Sequence, residues 1–318
     1  MASLTQLEYL VAVDKHRHFG KAAQACHVSQ PTLSMQLQKM EEEYKITFFD
    51  RSKQPILPNP EAIPLIEQAR TILREFEKLK HLTTDALGEP SGEFRIGVIP
   101  TVAPYLIPKF IGSFANANPK VNLSIREMTT SQIVEALDRD EIDAGILATP
   151  LNLMTLDERP LYYEPFFVYT SPNHPLAKLK SVTEDDLTAN GIWLLSEGHC
   201  LRNQIVKLCS ARKTSAVFKN VSFESGSMET IIELVERGHG YTLVPAMAAQ
   251  RLIFSQAKGL KEIKSTIPTR EISLVYRRSQ YKQAILKALS QSIKANLPKE
   301  VFTKRTQNMH VLQGIGTH

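Results

Sequence analysis

The chain has 318 residues, 42% of them hydrophobic, which is enough for two or three domains with packed cores. No run approaches the roughly eighteen apolar residues of a membrane span, and acidic and basic residues interrupt the apolar N-terminus, so we expect neither a membrane anchor nor a signal peptide. Three cysteines are too few for a structural disulfide framework and favour a reducing cytoplasm.

The net charge of +5 is unevenly distributed. Residues 1–60 carry seven Lys/Arg against six Asp/Glu, whereas residues 258–318 carry twelve against three. A solvated basic C-terminal segment explains this excess at least as well as a nucleic-acid partner does. The overall charge therefore does not locate a binding surface.

Three short helices are predicted at the N-terminus. The apolar residues of the segment 4–13 lie on one helical face, and the segment 19–26 contains small alanines that allow close packing. Ser29 is a good N-cap for a third helix, with Pro31 in the first turn, where its missing N–H is harmless. The apolar stripe of this third helix is Leu33, Leu37 and Met40.

The opposite face of the third helix carries amides and hydroxyls, which are suited to reading base edges in the major groove. We therefore predict a helix-turn-helix DNA reader, with the segment 48–51 and the Pro-rich stretch after it forming a wing. A plain three-helix unit with a solvated polar face shows the same periodicity and remains an alternative. The candidate DNA-binding residues are Ser29, Gln30, Pro31, Thr32, Ser34, Met35 and Gln38.

This segment resembles the winged helix-turn-helix of LysR-type transcriptional regulators. The resemblance is carried by Phe19-Gly20-Lys21-Ala22-Ala23, by the run from Cys26 to Ser34, and by Leu37 through Glu43. It implies an all-α winged helix-turn-helix domain over residues 1–59. Where the family usually has Thr-x-x-Gly, this chain has Asn59-Pro60-Glu61-Ala62, and we expect Asn59 to cap the next helix.

A long amphipathic helix is predicted from about Pro60 to Leu82, with a stripe close to a heptad repeat. Such a helix has nowhere to bury its stripe in isolation, so self-association is expected. In the family, the matching helix joins two subunits. We assign residues 60–88 to a dimerisation and linker helix.

The segment 88–92 is the clearest linker in the chain. Beyond it, apolar strand-like runs alternate with helical ones, a pattern typical of parallel sheets covered by helices. The order resembles the α/β periplasmic-binding-protein-like effector domain of the same family, with ligands bound between two lobes. It implies an effector domain over 92–300, with lobe I at about 92–166 and 268–300, lobe II at about 167–267, and a flexible tail at 301–318.

Two of the three cysteines lie nine positions apart, Cys200 within the run Gly198–Gln204 and Cys209 after it. The amphipathic run that follows Cys200 predicts a helix beginning there, where positive charge and the helix N-terminus favour a thiolate. A second thiol in reach would trap an oxidised Cys200 as a disulfide. From the spacing alone, two buried and inert cysteines remain the alternative.

The motif resembles that of the peroxide-sensing OxyR branch of the LysR family, and the resemblance extends from about Leu4 to Leu297. It implies that Cys200 is the peroxide-reactive cysteine and that Cys209 is its resolving partner. It also implies that the reactive sulfur is surrounded by Thr101, Thr130, His199 and Arg270. Asn203 stands where relatives often have Asp, so any proton relay through that carboxylate would be altered here.

Under this hypothesis, Arg270 and the helix dipole lower the pKa of Cys200, the two threonine hydroxyls hold the peroxide and His199 orients it. If the chain between the cysteines is helical, their Cα atoms are about 13 Å apart, because each residue rises about 1.5 Å. A disulfide needs about 4.4–6.8 Å. Oxidation would therefore unwind the helix and act as a switch.

The expected function is a peroxide-sensing activator of antioxidant genes, not an enzyme, with no metal or cofactor. The implied partners are a double-stranded DNA operator, RNA polymerase, a second dimer in a homotetramer and a dithiol reductant such as glutaredoxin or thioredoxin. The nearest alternative is a LysR-type regulator that binds a metabolite between the lobes, with both cysteines incidental. A thiol peroxidase would leave the DNA-reading segment unexplained.

Overall fold

The computed structural model describes residues 2–85, 89–187, 191–209, 223–254, 258–264 and 266–313. The chain divides into two compact units, Met1–Glu89 and Pro90–His318. Within the described ranges, every helix is too short or too polar to cross a bilayer. The finer boundaries expected from the sequence, including those of the two lobes, stay predictions.

The first unit contains the expected three helices and wing. Its elements are α1 (Leu4–His16), α2 (Phe19–Ala25), α3 (Gln30–Tyr44), β1 (Phe49–Asp50), β2 (Leu57–Pro58) and α4 (Ile63–Asp85). The Ser29 side chain accepts a hydrogen bond from the Thr32 amide, so the predicted N-cap of α3 is confirmed. Strands β1 and β2 pair antiparallel and form the wing.

One cap in this unit differs from the expectation. Asn59 precedes a short 3₁₀ turn at Pro60–Ala62, but its side chain makes no cap hydrogen bond. Its amide instead donates to the Thr47 carbonyl at 2.7 Å. The predicted side-chain cap was wrong, because the Asn59 side chain is engaged by the Thr47 carbonyl instead of the first turn.

The second unit is a two-lobed α/β fold. Its first half consists of β3 (Gly92–Val98), α5 (Ala103–Ala117), β4 (Val121–Glu127), α6 (Thr130–Asp138), β5 (Ala144–Thr149), β6 (Leu156–Thr170) and α7 (Cys200–Leu208). It continues with α8 (Met228–Glu236), β7 (Tyr241–Pro245), α9 (Ala246–Phe254), β8 (Leu260–Glu262), β9 (Ile267–Arg277), α10 (Gln283–Ala295) and β10 (Met309–Val311).

The strands of this unit follow the order β4-β3-β5-β9-β6-β7, with β10 on β9 and β8 on β6. Parallel pairing, as predicted, joins β3 to β4 and β5. The prediction was wrong for the centre, where β9 pairs antiparallel with β5 and β6. The long strand β6 pairs with β9 up to Pro165 and with β7 from Phe166 onward. Two strands that pass between the lobes in opposite directions must pair antiparallel, which the alternation of helices and strands does not reveal.

The expected flexible tail at 301–318 is also corrected by the structure. Phe302 and Tyr163 exchange both backbone hydrogen bonds, at 2.7 and 2.9 Å, and β10 lies parallel on β9. Buried side chains hold this segment down, and they are Val301, Met309 and Leu312. The few apolar residues of this segment are separated by polar ones and show no clear helical or strand period in the sequence. Residues 314–318 lie outside the described residues.

Candidate functional site

Cys200 is the first residue of α7, as the sequence predicts, and His199 is the N-cap residue. The Cys200 side chain is buried, with 3% of the residue exposed. The backbone amides of Leu201 and Cys200 at the helix start lower the pKa of the thiol and so favour its thiolate form. The helix start therefore supplies the local donors that a thiolate needs.

Arg270 lies on β9, is buried and is bonded on two sides. Its Nη1 donates to the Thr101 hydroxyl at 3.0 Å and its Nη2 to the Thr101 carbonyl at 3.1 Å. On the other side, its Nε and Nη2 contact Oε2 of Glu164 at 2.9 and 2.8 Å. The second oxygen of Glu164 accepts the Met247 amide at 2.7 Å. The guanidinium is thus fixed, and its charge is compensated within the site.

Thr130 brings a second helix start to the sulfur. It is the first residue of α6, which Thr129 caps through a capping box with Gln132. The buried Thr130 Oγ1 has no hydrogen-bond partner among the described residues, but it lies close enough to the Cys200 sulfur to lower the pKa of that thiol. The N-termini of α6 and α7 therefore converge on one sulfur atom.

The pKa of Cys200 nevertheless lies above its ordinary value. Burial raises it, and Arg270, Thr130 and the two backbone amides only partly offset that effect. Our expectation that the pKa of Cys200 is lowered was wrong for the reduced protein with α7 intact. The physical reason is that removal from water disfavours the thiolate, while Glu164 already balances much of the Arg270 charge.

His199 is half-buried, and burial lowers the pKa of its imidazole. It is therefore largely neutral at pH 7 and adds no positive charge to the site. The ring lies over Gly226, where an added Cβ would come within 3.1 Å of Nε2. A role for His199 towards peroxide stays a prediction.

Cys209 lies at the far end of the same helix. It is the C-cap residue of α7, and its amide donates to the Ile205 carbonyl at 2.9 Å. Burial, partly offset by a hydrogen bond with Tyr241, raises the pKa of its thiol to about 12. All three cysteines are free thiols. With α7 intact, the nine-residue spacing keeps the Cα atoms of Cys200 and Cys209 about 13 Å apart, too far for a disulfide.

The candidate DNA-binding residues share the exposed side of α3, except for the half-buried Ser34. Ser29 is engaged as the helix cap, and Ser34 accepts a hydrogen bond from Arg51 of the wing at 3.3 Å. The side chains of Gln30 and Met35 are both exposed. This side of α3 presents short polar and apolar groups of the kind that read bases.

Two family models match the chain. The bacterial regulatory helix-turn-helix protein of the lysR family matches residues 4–63, and the LysR substrate binding domain matches residues 87–298. The chain belongs to the LysR family.

Among LysR-family relatives, the chain is 36% identical over 286 residues to the hydrogen peroxide-inducible genes activator of Dickeya chrysanthemi, covering 88% of this chain and 93% of that protein. It is 35% identical over 300 residues to the DNA-binding transcriptional dual regulator OxyR of Escherichia coli strain K12, covering 93% and 96%.

Solved structures give the same picture. A full-length OxyR cysteine variant from Pseudomonas aeruginosa matches with a TM-score of 0.79 at 29% identity, over 93% of this chain and 99% of that one. A hydrogen-peroxide-bound cysteine mutant of Corynebacterium glutamicum OxyR matches with a TM-score of 0.59 at 28% identity, over 93% and 92%.

The counter-ion of this LysR-family site was not predicted from the sequence. Glu164 is completely buried, and it is the only carboxylate in the apolar run 160–170. A lone acidic residue in a buried strand signals a buried cationic partner, because an unpaired charge there is strongly disfavoured. The identity of the partner required the pairing of β6 with β9.

A cationic pocket of about 390 Å³ in the DNA-reading unit was also not predicted from the sequence. It lies where the turn between α1 and α2 meets the wing, and its charged lining comprises Arg17, Lys21, Arg51 and Lys53. The guanidinium of Arg51 also stacks on the Phe19 ring, with 4.8 Å between Cζ and the ring centroid. Such clustering suits a phosphate of the DNA backbone, although the unit as a whole is nearly neutral.

Proposed function

We propose that this LysR-family protein senses hydrogen peroxide through Cys200 and Cys209 and converts their oxidation into a change in transcription of antioxidant genes. One observation carries the proposal. Cys200 is held at a helix start beside Thr130 and Arg270, and the second thiol, Cys209, stands at the far end of that same helix. Relatives named as peroxide-inducible activators over nearly the whole chain support the same function.

The first step is attack of the Cys200 thiolate on one peroxide oxygen. The O–O bond breaks, and the other oxygen leaves as hydroxide and takes up a proton to become water. Arg270 stabilises the charge that builds up on the leaving oxygen. Because the Thr101 hydroxyl accepts its hydrogen bond from Arg270, its own hydrogen points elsewhere and can bond the peroxide. Thr130 supplies a second hydroxyl next to the sulfur.

The second step closes the disulfide. The Cys209 thiolate attacks the sulfenic sulfur of Cys200, the S–O bond breaks, and hydroxide leaves and is protonated to a second water. The two thiols are thereby oxidised by two electrons and one peroxide is reduced. Because α7 separates the two sulfurs, this step proceeds only as the helix unwinds.

Unwinding α7 provides the conformational signal. The helix buries Leu201 and Ile205 in the effector core, so its loss repacks that core. We propose that a dimer of dimers, joined partly through α4, transmits this change to the DNA readers and to RNA polymerase in the cytoplasm. A cellular dithiol such as glutaredoxin or thioredoxin would restore the reduced form.

The direct test is intact mass and peptide mapping of the reduced full-length protein after one equivalent of hydrogen peroxide. The expected result is a rapid loss of two hydrogens that maps to Cys200 and Cys209. The loss should be absent in Cys200→Ser and preserved in the matched control Cys26→Ser. Survival of both thiols in excess peroxide would reject the proposal and favour a regulator that binds a metabolite.

A further inference from the structure

The C-terminal strap, defined as residues 301–313, crosses the effector domain beside α7, which we call the redox helix because it begins at Cys200. Its first part bridges to Tyr163 of β6 through Phe302. Its last part is β10, whose three residues pair with Ile267 to Thr269 of β9. The Leu312 amide continues this pairing with a hydrogen bond to the Thr269 carbonyl at 2.8 Å. The strap is therefore fastened to both strands that pass between the lobes.

The strap also bonds the redox helix itself. The Gln204 side chain donates from Nε2 to the Leu312 carbonyl at 3.0 Å, in a buried contact. Gln204 is completely buried and lies four residues after Cys200, on the same face of α7. The bond fastens α7 to the strap at a point one helical turn beyond the reactive Cys200.

Gln204 depends on the strap for its hydrogen bonding. Its Oε1 has no partner among the described residues, so the bond to Leu312 is the one side-chain contact that compensates burial of the amide. A buried polar group left without any partner is costly. Removing the strap would therefore disfavour the packed form of α7.

We propose that Gln204 and the C-terminal strap act as positioning elements that hold α7 in its helical, reduced form and so set the thiol–disulfide equilibrium of Cys200 and Cys209. The inference rests on the proposed function. A disulfide requires α7 to unwind across Gln204, so the bond to Leu312 exists only in the reduced state. Its full contribution therefore opposes oxidation.

The test uses full-length protein equilibrated in graded mixtures of reduced and oxidised dithiothreitol, with the two thiols counted by alkylation and mass. Gln204→Met removes the amide while keeping nearly the same length and volume. A chain ending at Asn308 removes β10 and Leu312. The matched control is a chain ending at Gln313, which keeps the whole strap.

Gln204→Met is expected to shift the equilibrium towards the disulfide about fivefold, the effect of one net hydrogen bond. The chain ending at Asn308 should shift it at least as far, and the control chain should match the unaltered protein. Thermal unfolding of the reduced and the oxidised protein separates this role from general destabilisation. A merely structural change lowers the melting temperature of both forms and leaves the thiol–disulfide equilibrium constant unchanged.

An equilibrium constant for Gln204→Met within twofold of the unaltered protein would overturn the inference, even if the truncated chain fails to fold. Failure of the unaltered protein to form the disulfide at all would instead reject the proposed function. The two failures are distinguishable because the first leaves the peroxide response of Cys200 and Cys209 intact.

Discussion

Arg270 and Glu164 form a buried ion pair, with 2.8 Å between Nη2 and Oε2, at the boundary between the two lobes. The pair joins β9 to β6, and the same guanidinium donates from Nη1 and Nη2 to Thr101. Because the two charges compensate each other, the site can hold Arg270 near Cys200 without forcing the buried Cys200 thiol to ionise. We therefore expect the pair to influence both the stability of the fold and the reactivity of Cys200.

Glu164→Gln tests this balance. Removing one charge of a buried pair leaves Arg270 uncompensated, so we expect the free energy of unfolding to fall by about 3 kcal/mol. The same change should lower the pKa of Cys200, because less negative charge opposes its thiolate. Chemical denaturation and the pH dependence of alkylation by a small haloacetamide measure the two effects.

The control for that variant is Asp157→Asn, which removes an exposed pair with Arg278 at 3.3 Å. We expect it to change stability by less than about 1 kcal/mol and to leave Cys200 alkylation unaltered. Equal behaviour of the two variants would show that the buried pair has no special influence on the sulfur.

Thr130 and Thr129 are adjacent in the chain, but we assign different roles to their hydroxyl groups. Thr130→Val removes the hydroxyl beside the sulfur, and we expect peroxide oxidation of Cys200 to slow by about 10²-fold, as when a transition-state donor is lost. Thr129→Val removes the cap of α6, and should cost about 1 kcal/mol of stability while leaving the oxidation rate nearly unchanged. Stopped-flow oxidation and thermal unfolding should therefore separate the pair, and equal rates for both would reject the role of Thr130.

The raised pKa of Cys200 predicts a pH-dependent sensor. Burial keeps the Cys200 thiol protonated at neutral pH. The reactive thiolate fraction therefore grows as the pH rises towards the pKa. We expect the second-order rate constant with peroxide to increase about tenfold per pH unit between pH 6.5 and 8.5. The measurement uses Cys209→Ser to isolate the first step. A flat profile would mean that Cys200 is already ionised.

The cationic pocket predicts a contact with the DNA backbone. Lys21 lines the pocket and is exposed. Lys21→Ala should weaken binding to matched and mismatched operators equally and reduce the slope of log affinity against log salt by about one. The control Lys294→Ala, on α10 of the effector unit, should leave that slope unchanged. Loss of discrimination between operators in Lys21→Ala would contradict a phosphate role.

Local patterns predicted the elements that carry the chemistry. Ser29 and Pro31 marked the start of α3, and the apolar spacing after Cys200 marked α7, because caps and helical stripes are written in neighbouring residues. The Glu164 partner of Arg270 and the Leu312 partner of Gln204 were not predictable, since each contact joins residues more than one hundred positions apart in the chain. The direction of the Cys200 pKa was missed for the same reason, because burial is a property of the assembled fold.

The most direct test of the helix-unwinding switch is hydrogen exchange of the α7 amides, residues 201–209, in the reduced protein and after one equivalent of peroxide. We expect slow exchange in the reduced form and a large loss of protection once Cys200 and Cys209 are joined, because the bond cannot span an intact helix. A Cys200–Cys209 disulfide that formed with α7 protection unchanged would contradict it.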